Sequence, residues 1–255
     1  MTGLSDLIPA GAVHLDDRAA SWQSAVRAAG HLLEEHGAIT ADYTRAMVEA
    51  VQEHGPYIVI APGFALAHAR PSDAVRRTAL SVVRLAEPVS FGHEANDPVR
   101  LVVALAAADA TAHQQALAEL AGVLADEQRR DALFAARSEH DVRAVLSSGE
   151  AETSAPRSER GQHLALTVCG NGLGTSLFLK NTLEQVLDAW GWSRFVTVEA
   201  TDTISAKGRA NEADFILTSG EIAKTLGDVG VPMHVINDFT SRREVDRTLR
   251  AVYDV

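Results

Sequence analysis

One cysteine and a few histidines are the residues of this sequence whose surroundings point to chemistry. Cys169 is the only cysteine, and it stands between the apolar run HLALTV and a glycine-rich stretch, GNGLGT. Glycines can adopt positive φ and let backbone N–H groups converge on an anion, and a helix that begins after them adds partial positive charge. We therefore predict an anion-binding loop, with Thr175 or Ser176 as the helix cap. The loop comprises Gly170, Asn171, Gly172, Leu173, Gly174, Thr175 and Ser176.

The same local field would stabilise a thiolate, so we expect Cys169 to have a lowered pKa and to be nucleophilic. The alternative is a small buried hydrophobic residue beside a turn, which is common for free cysteine. Three alternating glycines directly after the thiol favour the functional interpretation. The loop has neither the lysine of a nucleotide-binding loop nor the arginine that a cysteine phosphatase would need at Thr175. These features predict a carrier that accepts a phosphoryl group and passes it on.

Histidines in the first half could supply such a group. His68 ends the segment YIVIAPGFALAH, His93 lies in the polar segment FGHEAND, and His113 stands at the start of a predicted helix. A neutral imidazole is a competent nucleophile toward phosphorus, and a second histidine or a cation such as Arg70 can stabilise the product. Taken singly, each histidine is more often structural. Their spacing supplies no local metal-ligating pair, so we predict neither a metal nor another cofactor.

The elements that would hold these residues form two α/β units. Four apolar runs alternate with helices after residue 162, which predicts a four-stranded parallel sheet. The first half is also α/β, with strands at 58–60, 78–85 and 99–107 and helices at 22–35, 40–53, 112–125 and about 127–146. The stretch SSGEAETSAPRSERGQ has only alanines as apolar residues and cannot form a core, which predicts a flexible linker. We place the boundaries at 1–146, 147–162 and 163–255.

Composition narrows the classes of function. The formal net charge of −11 opposes binding to nucleic acid, and the apolar runs are too short to cross a bilayer. The first residues lack the pattern of a secretion signal, and a single cysteine fits a reducing compartment. We therefore expect a cytoplasmic protein whose partners are small molecules or proteins. Whether it forms a homodimer stays open.

With both sites in view, the chain resembles a fused enzyme IIA and enzyme IIB of the bacterial phosphoenolpyruvate-dependent sugar phosphotransferase system. The first half is similar to the mannitol/fructose-type IIA superfamily, ascorbate-type branch, in GPYIVIAPGFALAHARP, FGHEANDPV and ATAHQQAL. The second is similar to ascorbate-type IIB proteins in VCGNGLGTS, AKG, ADFILTS and IND. The usual proline before the active histidine is Ala67 here. This resemblance implies a mixed-sheet IIA domain followed by a Rossmann-like IIB domain with a parallel sheet.

The resemblance also implies a relay and its residues. The histidine phosphocarrier protein would phosphorylate His68, which would pass the group to Cys169, and Cys169 would phosphorylate a sugar held by a membrane IIC subunit. His113 would support His68, while Arg70 and His93 are further candidates. The implied activity is that of a protein-N(π)-phosphohistidine–sugar phosphotransferase, with ascorbate or a related pentose or pentitol as the sugar. The linker would raise the effective concentration of one domain near the other.

Two other functions compete with transport. IIA and IIB modules also serve as regulatory sensors whose phosphorylation state controls transcription or enzymes. A cysteine-dependent oxidoreductase or phosphatase is the third interpretation, and it lacks both a resolving cysteine and the phosphatase arginine.

Overall fold

The computed structural model describes residues 3–147, 163–169 and 175–254. The chain divides into two compact units, Met1–Gly149 and Glu150–Val255. The division falls within the predicted linker. The last helix of the first unit includes Ser147, and residues 148–162 lie outside the described ranges.

The first unit contains a five-stranded mixed sheet in the order β1-β4-β5-β3-β2. β3 and β5 run parallel, β4 and β5 antiparallel, β1 and β4 parallel, and β2 and β3 antiparallel. β3 is buried along its whole length and β5 nearly so, which explains why both read as continuous apolar runs. The strands are β1 (Val13–Asp17), β2 (Val59–Ala61), β3 (Phe64–His68), β4 (Ala79–Val89) and β5 (Val99–Ala106).

Five α-helices accompany this sheet within the described residues: α1 (Trp22–Glu35), α2 (Ala41–His54), α3 (Ala110–Ala125), α4 (Glu127–Ala135) and α5 (Glu139–Ser147). The single helix predicted over 127–146 is wrong. Ala136 adopts an extended ψ of 137° and ends α4. The Ser138 hydroxyl then accepts from the Asp141 N–H at 3.1 Å, which favours a new helix start over continuation.

The second unit contains a four-stranded sheet in the order β7-β6-β8-β9, and every strand pair is parallel. This confirms the predicted sheet. The strands are β6 (His163–Cys169), β7 (Val196–Asp202), β8 (Phe215–Thr218) and β9 (Met233–Val235), and the helices are α6 (Ser176–Trp190), α7 (Thr203–Arg209), α8 (Gly220–Leu226) and α9 (Arg242–Tyr253). Helix α7 was not predicted from the sequence. It begins where the Asp202 carboxylate accepts from the N–H groups of Ile204 and Ser205 at 2.8 Å each.

Across the described residues, no helix combines the length and the apolar character that crossing a membrane would require.

Helices α1 and α2 approach closely at Gly30. A β-carbon built there would lie 2.5 Å from Thr44 Oγ1, and Thr44 is itself held by a hydrogen bond to the Glu34 carboxylate. We predict that Gly30→Ala lowers the free energy of unfolding of the first unit by about 1–3 kcal/mol, since the helices must separate. The measurement is urea unfolding followed by hydrogen exchange in peptides of that unit. Gly122→Ala is the matched control, because its added methyl meets nothing within 4 Å. Equal loss in both variants would contradict the prediction.

Candidate functional site

His68 and His113 lie together at one edge of the first sheet. His68 is the last residue of β3 and pairs in register with Leu105 of β5. Because β3 and β5 are parallel, their carboxyl ends meet at the same edge, and β5 leads directly into α3. His113 stands in the first turn of that helix, and the two ring centroids are 5.6 Å apart. The structure thus joins two histidines that are 45 positions apart in the sequence.

The hydrogen bond of His68 determines which ring nitrogen can react. Its Nδ1 lies 3.0 Å from the carbonyl oxygen of Leu66. A carbonyl can only accept, so Nδ1 carries the proton and Nε2 keeps its lone pair. Burial lowers the pKa of His68, and the ring is therefore neutral at physiological pH. His68 is thus a neutral imidazole whose Nε2 holds a lone pair.

His113 is placed by the start of its helix. The Asp109 carboxylate caps α3 by accepting from the Ala112 N–H at 2.9 Å, and the Asp109 carbonyl accepts from the His113 N–H at 3.0 Å. Burial, and then the neighbouring His68, lower the pKa of His113 to about 4. Within the described residues its Nδ1 is buried with no hydrogen-bond partner. A buried polar atom of this kind needs a partner, which an oxygen of a bound anion would provide.

Tyr57 lies against His68 and was not predicted from the sequence as part of the site. Its ring packs edge-on against His68, with centroids 6.0 Å apart and planes at 79°. Tyr57 sits in the apolar segment YIVI, where an aromatic residue is usually part of the core, so pattern alone gave no signal. This contact restricts the ring of His68 on one side.

Arg70 and His93 are placed differently from the histidine pair. Arg70 lies two residues beyond His68 and is exposed. His93 is buried in the β4–β5 loop, where its Nδ1 accepts from the N–H groups of Ala95 and Asn96 at 3.2 and 3.1 Å. That loop reaches the amino end of β3, since the Gly63 N–H donates to the Asn96 carbonyl, whereas His68 is at the carboxyl end. The structure brings His68 and His113 together and engages His93 in loop packing.

Cys169 closes strand β6, in the centre of the second sheet. Its Sγ lies 3.3 Å from Ser176 Oγ at the start of α6, and the Thr167 hydroxyl donates to the Ser176 carbonyl at 3.0 Å. Thr175 occupies the predicted N-cap position, but its side chain makes no capping bond, and the Ser176 hydroxyl lies against the thiol. The loop residues Gly170, Asn171, Gly172, Leu173 and Gly174 lie outside the described residues.

The thiol of Cys169 is 3% exposed. Burial raises its pKa, while hydrogen bonds from Ser176 and Thr175 act in the opposite direction. The lowered pKa expected from the sequence is therefore wrong for this conformation. The reason is that desolvation of the thiolate outweighs the nearby donors.

Each unit matches the model of a known protein family. Residues 6–149 match the family model described as "Phosphoenolpyruvate-dependent sugar phosphotransferase system, EIIA 2", and residues 164–250 match "PTS system, Lactose/Cellobiose specific IIB subunit". The ascorbate-specific PTS system EIIA component of Shigella boydii is 38% identical over 131 residues, which cover 51% of this chain and 85% of that protein.

Two solved structures resemble the first unit. The mannitol-specific cryptic phosphotransferase enzyme IIA CmtB from Escherichia coli is 32% identical, with a TM-score of 0.53, covering 58% of this chain and all of that one. A complex of enzyme IIA-Mtl with phosphorylated enzyme IIB-Mtl from E. coli is 27% identical over 56% of this chain and 98% of that one, with a TM-score of 0.50.

The lowered pKa of His113 has a consequence for stability. Between its ordinary value near 6.5 and about 4, the unfolded chain binds a proton that the folded chain excludes, so folding weakens as pH falls through that range. Wild type should lose about 3 kcal/mol of stability between pH 7 and pH 4 through this histidine, and we predict that His113→Asn abolishes that loss. Urea unfolding at several pH values measures this. His31→Asn, at an exposed position on α1, is the control. An unchanged pH dependence in His113→Asn would refute the assignment.

Proposed function

We propose that this chain relays a phosphoryl group toward a sugar, on the premise that it belongs to the EIIA 2 family of the phosphoenolpyruvate-dependent sugar phosphotransferase system and continues into a IIB domain. The observation that carries the proposal is the neutral His68, whose Nδ1 is tied to the Leu66 carbonyl and whose Nε2 is left as a nucleophile.

In the first step the Nε2 lone pair of His68 attacks the phosphorus of a phosphohistidine on the phosphocarrier protein. The new N–P bond forms as the donor's N–P bond breaks, and that electron pair returns to the donor's imidazole. The His68 proton stays on Nδ1 throughout, because the Leu66 carbonyl holds it. No proton transfer is needed at His68, which keeps this step readily reversible.

His113 serves the phosphorylated state. A phosphoryl dianion on His68 places negative charge beside a ring whose pKa is about 4 in its absence. An opposite charge at this range raises the pKa of a histidine, so His113 becomes a stronger donor once the group arrives. The unpartnered Nδ1 is then able to hold a phosphoryl oxygen.

In the second step the sulfur of Cys169 attacks the same phosphorus. An S–P bond forms, the N–P bond to His68 breaks, and the electron pair returns to Nε2. The thiol first gives its proton to solvent base, and the Ser176 hydroxyl, 3.3 Å away, can then donate to the thiolate. The glycine-rich segment 170–174 would supply N–H groups to the phosphoryl oxygens.

The partners follow from this chemistry and from the relatives. The donor is the histidine phosphocarrier protein, and the acceptor is a sugar held by a membrane IIC subunit, so the chain works at the cytoplasmic face of the membrane. Relatives named as ascorbate-specific favour ascorbate or a related pentose or pentitol, although the matched IIB model carries the name of lactose and cellobiose. The domain boundaries 1–146, 147–162 and 163–255 belong to this proposal, with the linker as a tether.

A regulatory role is the second candidate. The nitrogen regulatory protein IIA-Ntr from Neisseria meningitidis is similar to the first unit, at 27% identity and a TM-score of 0.50. A phospho-sensor would use the same His68 and Cys169 and would transfer nothing to sugar.

The test supplies labelled phosphoenolpyruvate and the two general proteins of the system to the full chain. We predict that His68→Ala takes up no label, because the nucleophile is gone. Cys169→Ser should keep acid-labile label on His68 and pass none to membranes that contain the IIC subunit with ascorbate. Gel detection of the label and its acid lability distinguish the two positions.

His113→Ala is expected to slow labelling about 10- to 100-fold without abolishing it, and His140→Ala, at an exposed position on α5, serves as the control. Normal labelling of His68→Ala would overturn the relay. Labelling of both sites with no transfer to any sugar would favour the sensor.

A further inference from the structure

Tyr43 is a buried residue that the relay described above does not use. It stands in the first turn of α2 and is 1% exposed. Its hydroxyl reaches the carboxyl edge of the first sheet, where it meets backbone groups of two different strands. The sequence alone does not indicate this contact, because Tyr43 precedes His68 by 25 positions and Leu105 by 62.

Three backbone groups surround the Tyr43 hydroxyl. It lies 2.8 Å from the carbonyl oxygen of Ala69 and 3.1 Å from that of Leu105, to which it can donate, and it accepts from the Ala69 N–H at 3.2 Å. The β3–β5 ladder ends at His68, so Ala69 lies beyond the last strand pairing. Buried backbone groups at such an end need other partners, and this hydroxyl provides them.

The two strands held by Tyr43 are β3, which ends at His68, and β5, which leads into the helix that carries His113. Ala69 follows His68 directly, and Leu105 is the register partner of His68 on β5. β5 then leads through Asp109 to α3 and His113. The Tyr43 hydroxyl therefore links the backbone next to His68 to strand β5, which leads to His113. Burial raises the pKa of Tyr43 to about 12, so the hydroxyl stays protonated and keeps its donor at working pH.

We propose that Tyr43 is a positioning residue for phosphoryl transfer, which fixes the separation of His68 and His113 and the direction of Nε2 by tying the ends of β3 and β5. This rests on the proposed function of His68. The hydroxyl touches neither reacting atom, and it acts through the backbone.

The experiment compares Tyr43→Phe with wild type in the full chain. Phenylalanine keeps the ring and removes only the hydroxyl. We expect kcat for phosphorylation of His68 by the phosphorylated carrier to fall about 10- to 100-fold, with KM within twofold, because the carrier's docking surface is unchanged while the nucleophile is misaligned. By NMR titration, the pKa of His113 should rise from about 4 toward its ordinary value, as the pair loosens and water enters.

Ser81→Ala is the matched control. Its buried hydroxyl donates to the Ala29 carbonyl at 2.7 Å, so the variant loses one comparable side-chain to backbone bond between β4 and α1. A purely structural role for Tyr43 predicts that both variants lose stability and that neither changes kcat or the His113 titration. That result would overturn the proposal.

Two further outcomes separate this proposal from the proposed function. If wild type accepts no phosphoryl group, the function fails, and the His113 titration in Tyr43→Phe still decides the positioning role. If Tyr43→Phe does not fold, hydrogen exchange in wild type decides it. Protection of the Ala69 amide equal to that of the β3 ladder amides supports the proposal, and fast exchange overturns it.

Discussion

The hydrogen bond between the Leu66 carbonyl and Nδ1 of His68 is the constraint on which the first site depends. It selects one tautomer, and with it the nitrogen that can attack. Burial reinforces the choice, because a neutral imidazole is both the form that a buried site favours and the form that is nucleophilic. The parallel pairing of β3 and β5 brings His113 to the same edge. The tautomer of His68 and its proximity to His113 are thus both determined at the end of β3.

The second site uses a similar arrangement with the opposite consequence. Cys169 also ends a central strand and faces the start of a helix, and it too is buried. Burial again favours the neutral form, but a neutral thiol is the unreactive one. In the proposed relay His68 attacks in its neutral form, whereas Cys169 must first lose a proton.

The sequence was informative where local chemistry and periodicity coincide. The sheet of the second unit, the site at the end of HLALTVC and the histidine that ends ALAH follow from apolar runs. In the first sheet only β2, β4 and β5 were predicted, and β1 and β3 were missed. The pairing of His68 with His113 needed the family resemblance, since nothing local marks two residues that meet through a strand register. The split of the helix at Ala136 and the raised pKa of Cys169 depend on tertiary burial and escaped prediction. Tyr43 and Tyr57 looked like ordinary core aromatics for the same reason.

The hydrogen bond from Nδ1 of His68 to the Leu66 carbonyl should leave Nε2 as the nitrogen that accepts the phosphoryl group. Long-range nitrogen–proton correlation NMR of the phosphorylated chain, with ¹⁵N-labelled histidine, reads which ring nitrogen is bonded to phosphorus. We predict phosphorus on Nε2 of His68, with Nδ1 still carrying its proton. Phosphorus on Nδ1 of His68, or on any other histidine, would contradict it.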